Sequence, residues 1–284
     1  MNFGIPAPGF RLPAGTHIGR VTLQVSNLAR SLSYYRDLLL FTEIAQGEWP
    51  HGPTATLGAA DGHVLLELRE RAGVRPVPRR GLLGLYHFAV LLPSRPDLGR
   101  FLAHLQHHRV PYGAADHLVS EALYLVDPDG ITIEVYRDRP RAEWAVAGRE
   151  LAMASDPLDA RGVVEAGGGE AFTGLPTGTT MGHVHFYVDD LARAAEFYHR
   201  GLGFDQIVWT FPGALFVSAA GYHHHVGLNI WAAGAPIATD EDAKLIDWEL
   251  VLPNQAAVDG ALASLREIGF ATTDPWGITV GVRS

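Results

Sequence analysis

Asn27-Leu28-Ala29-Arg30-Ser31-Leu32-Ser33-Tyr34-Tyr35 returns without gaps as Asp190-Leu191-Ala192-Arg193-Ala194-Ala195-Glu196-Phe197-Tyr198. Both copies run on, at the same spacing, to a phenylalanine, Phe41 and Phe204. Asn or Asp at the head of each copy is a good helix N-cap, because its side-chain oxygen accepts from the free amides of the first turn. Leu28, Leu32 and Tyr35 then share a face, as do Leu191, Ala194 and Tyr198. A weaker pair follows the same plan. Val90-Leu91-Leu92-Pro93 leads into a helix carrying Leu98, Leu102 and Leu105, and Val251-Leu252-Pro253 into one carrying Leu262 and Leu265.

Each of these helices follows a short apolar strand, at 21–25, 87–92, 183–188 and 248–252. Strand-like runs broken by turn residues follow each helix, among them 64–68, 123–126, 131–136, 214–218 and 226–231. The unit is β-α-β-β-β, present four times, which gives an α+β fold of βαβββ modules. So small a sheet has open edges and one bare face, so the modules are expected to pair into two cupped sheets. Modules 1 and 2 occupy residues 1–138 and modules 3 and 4 residues 181–284. The stretch 139–180 lacks the pattern, contains Gly167-Gly168-Gly169 and Gly174-Leu175-Pro176-Thr177-Gly178, and reads as a connector.

Composition narrows the function classes. At 284 residues the chain has room for two cores, and 47% hydrophobic with 19% charged residues is ordinary for a globular protein. A net charge of −9 with scattered basic residues makes nucleic acid an unexpected partner. No apolar run reaches the ~18–20 residues of a membrane span. The stretch Met1–Pro8 has no basic segment followed by an apolar one, so no secretory signal is expected. The absence of cysteine excludes disulfides, thiolate metal sites and cysteine nucleophiles, in keeping with a cytoplasmic setting. Of the 14 histidines, His104, His107 and His108 fall on a predicted amphipathic helix and are expected to be solvated.

The chemistry concentrates elsewhere. His117-Leu118-Val119-Ser120-Glu121-Ala122-Leu123-Tyr124 leads through an Asp127-Pro128-Asp129-Gly130 turn to Ile131-Thr132-Ile133-Glu134. Two strand openings, Tyr86-His87-Phe88 and Gly182-His183-Val184-His185, supply imidazoles. Two imidazoles and one carboxylate are the ligand set of a non-haem iron(II) site that keeps positions open for substrate and dioxygen. His183 and His185 alternate onto one strand face, so either is a candidate for the inward position. Each residue also has a plainer reading: Glu134 as a surface acid after a good hairpin turn, His87 as an ordinary strand histidine, and His223-His224-His225 as a solvated turn.

The four modules resemble the vicinal oxygen chelate superfamily of glyoxalases, bleomycin-resistance proteins and type I extradiol dioxygenases. The resemblance covers all but the N-terminal tail and the connector. It implies a metal held in the cup between two modules, with ligands from first and last strands. At those positions stand Arg20, His87, His183 and Asp247, and Glu67, Glu134, Asn229 and Gly281. Only pairing of modules 2 and 3 assembles two histidines and a glutamate, with Asn229 near the remaining position. The outer modules 1 and 4 would form a second cup holding the cation Arg20, and no iron is expected there.

The stretch 117–134 is similar to the signature of the type I extradiol enzymes, and the layout to two-domain catechol 2,3-dioxygenases, with the signature closing the first half rather than the second. The resemblance implies His87, His183 and Glu134 as Fe(II) ligands, Tyr124 as the active-site tyrosine and His117 as its supporting histidine. It also implies an acid/base histidine within 223–225, with His224 preferred because its neighbours point elsewhere in an extended strand. The implied reaction is extradiol cleavage of a small aromatic diol by O2 to a muconic semialdehyde, as in aromatic hydrocarbon catabolism. Manganese in place of iron and assembly into a homo-oligomer both stay open. A glyoxalase-like metal-dependent isomerase or lyase would need a second carboxylate in the cup. A non-catalytic binding protein of the bleomycin-resistance type would need no metal.

Overall fold

The structure, a computed structural model, describes residues 3–284; the first two residues of the segment examined for a secretory signal lie outside the described residues. Module 1 comprises β1 (His17–Val25), α1 (Leu28–Leu32) continued by a π-helical turn, β2 (Thr42–Trp49), β3 (Gly52–Gly58) and β4 (Val64–Glu70). Module 2 comprises β5 (Gly84–Leu91), α2 (Arg95–His107), β6 (Gly113–Asp116), β7 (Ser120–Val126) and β8 (Thr132–Asp138). The connector carries a small hairpin, β9 (Val146–Ala147) and β10 (Glu150–Leu151), and a short helix α3 (Ala160–Ala166). Module 3 comprises β11 (Thr180–Tyr187), α4 (Leu191–Ala195) with its own π-helical turn, β12 (Asp205–Val208), β13 (Ala214–Ser218) and β14 (Val226–Asn229). Module 4 is abbreviated to β15 (Lys244–Val251), α5 (Gln255–Glu267) and β16 (Thr279–Arg283).

The repeated sequence features have repeated jobs. Asn27, Ser94, Asp190 and Asn254 each cap the helix that follows a first strand, accepting from amides of its first turn. The recurrent tyrosines tie modules together. Tyr35 of module 1 donates its hydroxyl to Asp127 in the turn of module 2 at 2.9 Å, and Tyr198 of module 3 does the same to Asp274 of module 4 at 2.8 Å.

Module pairing crosses the two halves of the chain. One sheet runs β12-β13-β14-β11-β5-β8-β7-β6 and so joins modules 2 and 3; the other runs β16-β15-β1-β4-β3-β2 and joins modules 4 and 1. At the first seam β5 and β11 are antiparallel, with His87 opposite His185 and Ala89 opposite His183. Beside β5, the parallel strand β8 sets Glu134 opposite Ala89. Strand alternation then divides the faces. His87 and Ala89 turn to the cup, while Phe88, Val90, Val184 and Phe186 are fully buried in the main core with Trp248 of the other sheet.

The outer cup has the equivalent positions and a different filling. Arg20 donates to Glu67 at 2.5 Å and lies 3.4 Å from Glu249, while Asp247 instead accepts from Thr22 at 2.9 Å. Arg69 also pairs with Glu67, and Arg283 with Glu249. On α2, His107 and His108 are exposed as expected. His104 is half-buried, donating to the Leu38 carbonyl at 2.8 Å, because α2 packs against the end of the module 1 helix. No helix among the described residues is long and apolar enough to cross a membrane.

Candidate metal centre and its cavity

Three neighbouring strands, β8, β5 and β11, bring Glu134, His87 and His183 together in the inner cup. Glu134 Oε2 lies 3.0 Å from His87 Nε2 and 3.3 Å from His183 Nε2, and the two nitrogens are 3.3 Å apart. All three side chains are buried. Donors bonded to one ion at ~2.1 Å with angles near a right angle stand about 3.0 Å apart, so this triangle has the dimensions of one face of a metal's coordination sphere.

The electrostatics point the same way. Burial lowers the pKa of His87 and of His183, outweighing the pull of Glu134, and leaves neutral imidazoles. Burial presses the other way on Glu134, but the interactions with His183 and His87 outweigh it and hold the carboxyl well below the usual carboxylate range. Glu134 is thus a buried anion facing two uncharged rings, without the arginines that its counterpart Glu67 has in the outer cup. A buried charge without a counterion is costly, so this donor set suits a cation supplied from outside. The Nδ1 atoms of His87 and His183 have no partner among the described residues. Packing holds the rings instead: Tyr136 at 4.9 Å and His224 at 4.1 Å from the ring of His183, and Tyr124 at 5.7 Å from that of His87.

A cavity of roughly 150 Å³ opens beside the triangle. His87, Glu134, His117, Tyr124, His185 and His224 form its polar side; Tyr86, Met153, Phe211, Phe216 and the half-exposed Trp231 form its apolar side. His117 donates from Nδ1 to the Ala154 carbonyl at 2.6 Å, which leaves Nε2 bare to accept the Tyr124 hydroxyl at 2.6 Å. Burial, with the charge of Glu134, pushes the Tyr124 phenol well above its ordinary pKa and keeps it protonated.

The three consecutive histidines separate. His223 faces Asp138, with Nε2 2.8 Å from Oδ1. His225 turns its Nδ1 to Ser218 at 3.0 Å and to the amide of Ala219 at 3.2 Å. His224 alone of the three lines the cavity. Burial, and then the neighbouring imidazoles of His183 and His223, hold its pKa well below the ordinary histidine value.

Asn229 does not stand at the cup position expected of it. Strand register sets Gly227, not Asn229, opposite His185, as Glu134 is set opposite Ala89. A Cβ at Gly227 would sit 2.7 Å from the ring of His185, so the missing side chain is what lets that imidazole enter the cup. Asn229 supports it, donating from Nδ2 to His185 Nε2 at 3.0 Å while accepting from the Trp231 amide. His183 and His185 therefore both face inward, with His183 in the triangle and His185 on the cavity wall. The connector residues Met153, Ala154 and Ser155 also wall the cavity, a contribution that the patternless stretch 139–180 did not signal.

The profile of the Glyoxalase/Bleomycin resistance protein/Dioxygenase superfamily matches residues 17–135 and 180–281. A Bacillus subtilis (strain 168) protein named catechol-2,3-dioxygenase is 43% identical over 261 residues, covering 90% of each chain. Among solved structures, one from the same species, assigned only provisionally to the dioxygenases, aligns with a TM-score of 0.65 at 11% identity over 96% of this chain and 86% of that one. Glyoxalase I from Zea mays aligns with a TM-score of 0.56 at 15% identity, over 94% and 92% respectively. At such identities the structural matches speak for the fold alone.

Proposed function

The chain belongs to the glyoxalase/bleomycin resistance protein/dioxygenase superfamily, and from that premise we propose that it is an iron(II)-dependent extradiol dioxygenase cleaving a catechol-type ring to a muconic semialdehyde. His87, His183 and Glu134 would hold the iron, leaving its remaining positions toward the cavity. When bound, Fe(II) would acidify the coordinated diol and bring it and dioxygen into electronic contact.

The protein's own groups supply the rest. An apolar cavity of ~150 Å³ accommodates a benzene-sized ring, so a single aromatic ring is the natural occupant here. Phe211, Phe216 and Trp231 would stack on it or flank it and keep bulk water away. A diol loses a proton as it binds a metal, and a nearby base must take it. His224, the one of the three consecutive histidines that faces the cavity, is placed to accept that proton and later return it. Tyr124 gives its own proton to His117, so its oxygen is free to accept from a substrate hydroxyl.

The observation that carries this reading is the buried Glu134 carboxylate facing two neutral imidazoles, with no counterion of its own, beside a one-ring cavity. A glyoxalase-like lyase would want a second carboxylate, and Gly227 stands at that register position. Anaerobic reconstitution with Fe(II), followed by catechol and air, tests the proposal. A yellow ring-cleavage product, formed only by iron-loaded protein, is expected. Full loading without any product from catechol or its alkyl derivatives would refute it.

A further inference from the structure

The acid/base histidine proposed above does not stand alone. His223 Nδ1 lies 2.7 Å from His224 Nδ1, and His223 Nε2 lies 2.8 Å from Asp138 Oδ1. Asp138 sits on β8, four residues beyond Glu134 and on the same face, so one strand carries both carboxylates. Its oxygen is also met by the Tyr222 hydroxyl at 3.2 Å, and Tyr222 by that of Tyr136 at 2.7 Å. His223 has no exposed surface, so its ring cannot turn to find other partners.

An ionised carboxylate only accepts, so the His223 nitrogen facing Asp138 carries a proton. A neutral His223 then has a bare Nδ1, which can only accept. The His224 Nδ1 opposite it must therefore carry a proton, and a neutral His224 is left with a bare Nε2. With Nδ1 engaged by His223, Nε2 is the ring nitrogen left free on this cavity-lining residue. We propose that Asp138, acting through His223, fixes the tautomer of His224 so that a lone pair, not an N–H, faces the substrate. Asp138 and His223 are positioning residues; neither lines the cavity. The inference rests on the reading of His224 as the acid/base.

A hydrogen bond to a charged group is worth ~1.5–3 kcal/mol, or about 10–100-fold in a tautomer ratio. The test uses full-length protein with 15N-labelled histidine, loaded with diamagnetic zinc. Two-bond 15N–1H correlation spectra identify which ring nitrogen is protonated, and His224 is assigned by the signal lost in His224→Phe. The wild-type ring should be a single Nδ1–H tautomer. Asp138→Ala removes the acceptor and should shift the ratio toward Nε2–H by about 10–100-fold. Asp138→Asn keeps an oxygen that can accept both bonds, and should retain the wild-type tautomer. In the iron-loaded enzyme, Asp138→Ala should lower kcat by up to the same factor with KM within about twofold, at unchanged metal content. An Nε2–H tautomer in the wild type, or an unmoved tautomer in Asp138→Ala, overturns the inference. A shifted tautomer with undiminished kcat upholds it and instead removes His224 from the role of acid/base.

Discussion

Arg20 tests the idea that both cups need a cation at the same place, supplied by the protein in one and by a metal in the other. Arg20→Met keeps most of the side-chain volume and removes the guanidinium from between Glu67 and Glu249. Loss of one partner from a buried ion pair costs ~3–5 kcal/mol. Two features reduce this here. The Arg20 side chain is 30% exposed, and Arg69 and Arg283 stay beside the two carboxylates. The expected loss is therefore about 2–3 kcal/mol, or a fall in Tm of roughly 2–4 °C for each of them. Urea unfolding followed through the buried Trp248 would measure it. Because the Glu67 contact is 2.5 Å and that to Glu249 is 3.4 Å, Glu67→Gln should recover more of the loss in a double-mutant cycle than Glu249→Gln. Metal content should not change in any of these variants. If Arg20→Met costs less than ~0.5 kcal/mol and shows no coupling to Glu67, the size of ordinary surface changes, the outer cup needs no cation. The proposed role of a metal as counterion to Glu134 would then have no parallel in the outer cup.

Further outcomes follow from individual side chains. His87→Ala should abolish iron binding, whereas His224→Phe should keep the iron and slow turnover by ~10²–10⁴-fold, the contribution of a positioned proton-transfer group; equal metal loss in both, measured by metal analysis, would put His224 among the ligands. Burial raises Asp127 to about 6, against ~3.9 in the unfolded chain, so its contribution to stability is fully present below pH ~4 and is lost as pH rises through about 6. Asp127→Asn, which mimics the protonated form, should match the wild type near pH 4 and become relatively more stable above pH 6; urea midpoints moving the opposite way would contradict the assignment.

Much of this fold was legible because its repeats serve local chemistry. The Asn27 and Asp190 caps and the Tyr35 and Tyr198 positions recur because every module must start its helix and dock on its neighbour in the same way. The sheet pairing was readable from ligand chemistry, since only modules 2 and 3 bring two histidines and Glu134 together, and β5 does lie beside β11. What stayed hidden depends on register and on long-range packing. Gly227, rather than Asn229, stands across from His185 because parallel pairing of β11 with β14 fixes the offset, which spacing from a turn does not reveal. That His183 and His185 both enter the cup needs the space left at Gly227. Asp138 shares a strand face with Glu134, but its partner His223 lies 85 residues away in another module, so the sequence does not mark the pair. The cavity wall at Met153 to Ser155 comes from a connector without periodicity, and nothing local marks it.

We propose one iron between His87, Glu134 and His183. Anomalous diffraction at the iron edge, from crystals of anaerobically reconstituted protein, addresses it directly. A single peak per chain at ~2.0–2.3 Å from both Nε2 atoms and Glu134, and none beside Arg20, is the predicted result. A peak bonded to His185 or His224 in place of His183, or a second peak in the outer cup, would contradict it.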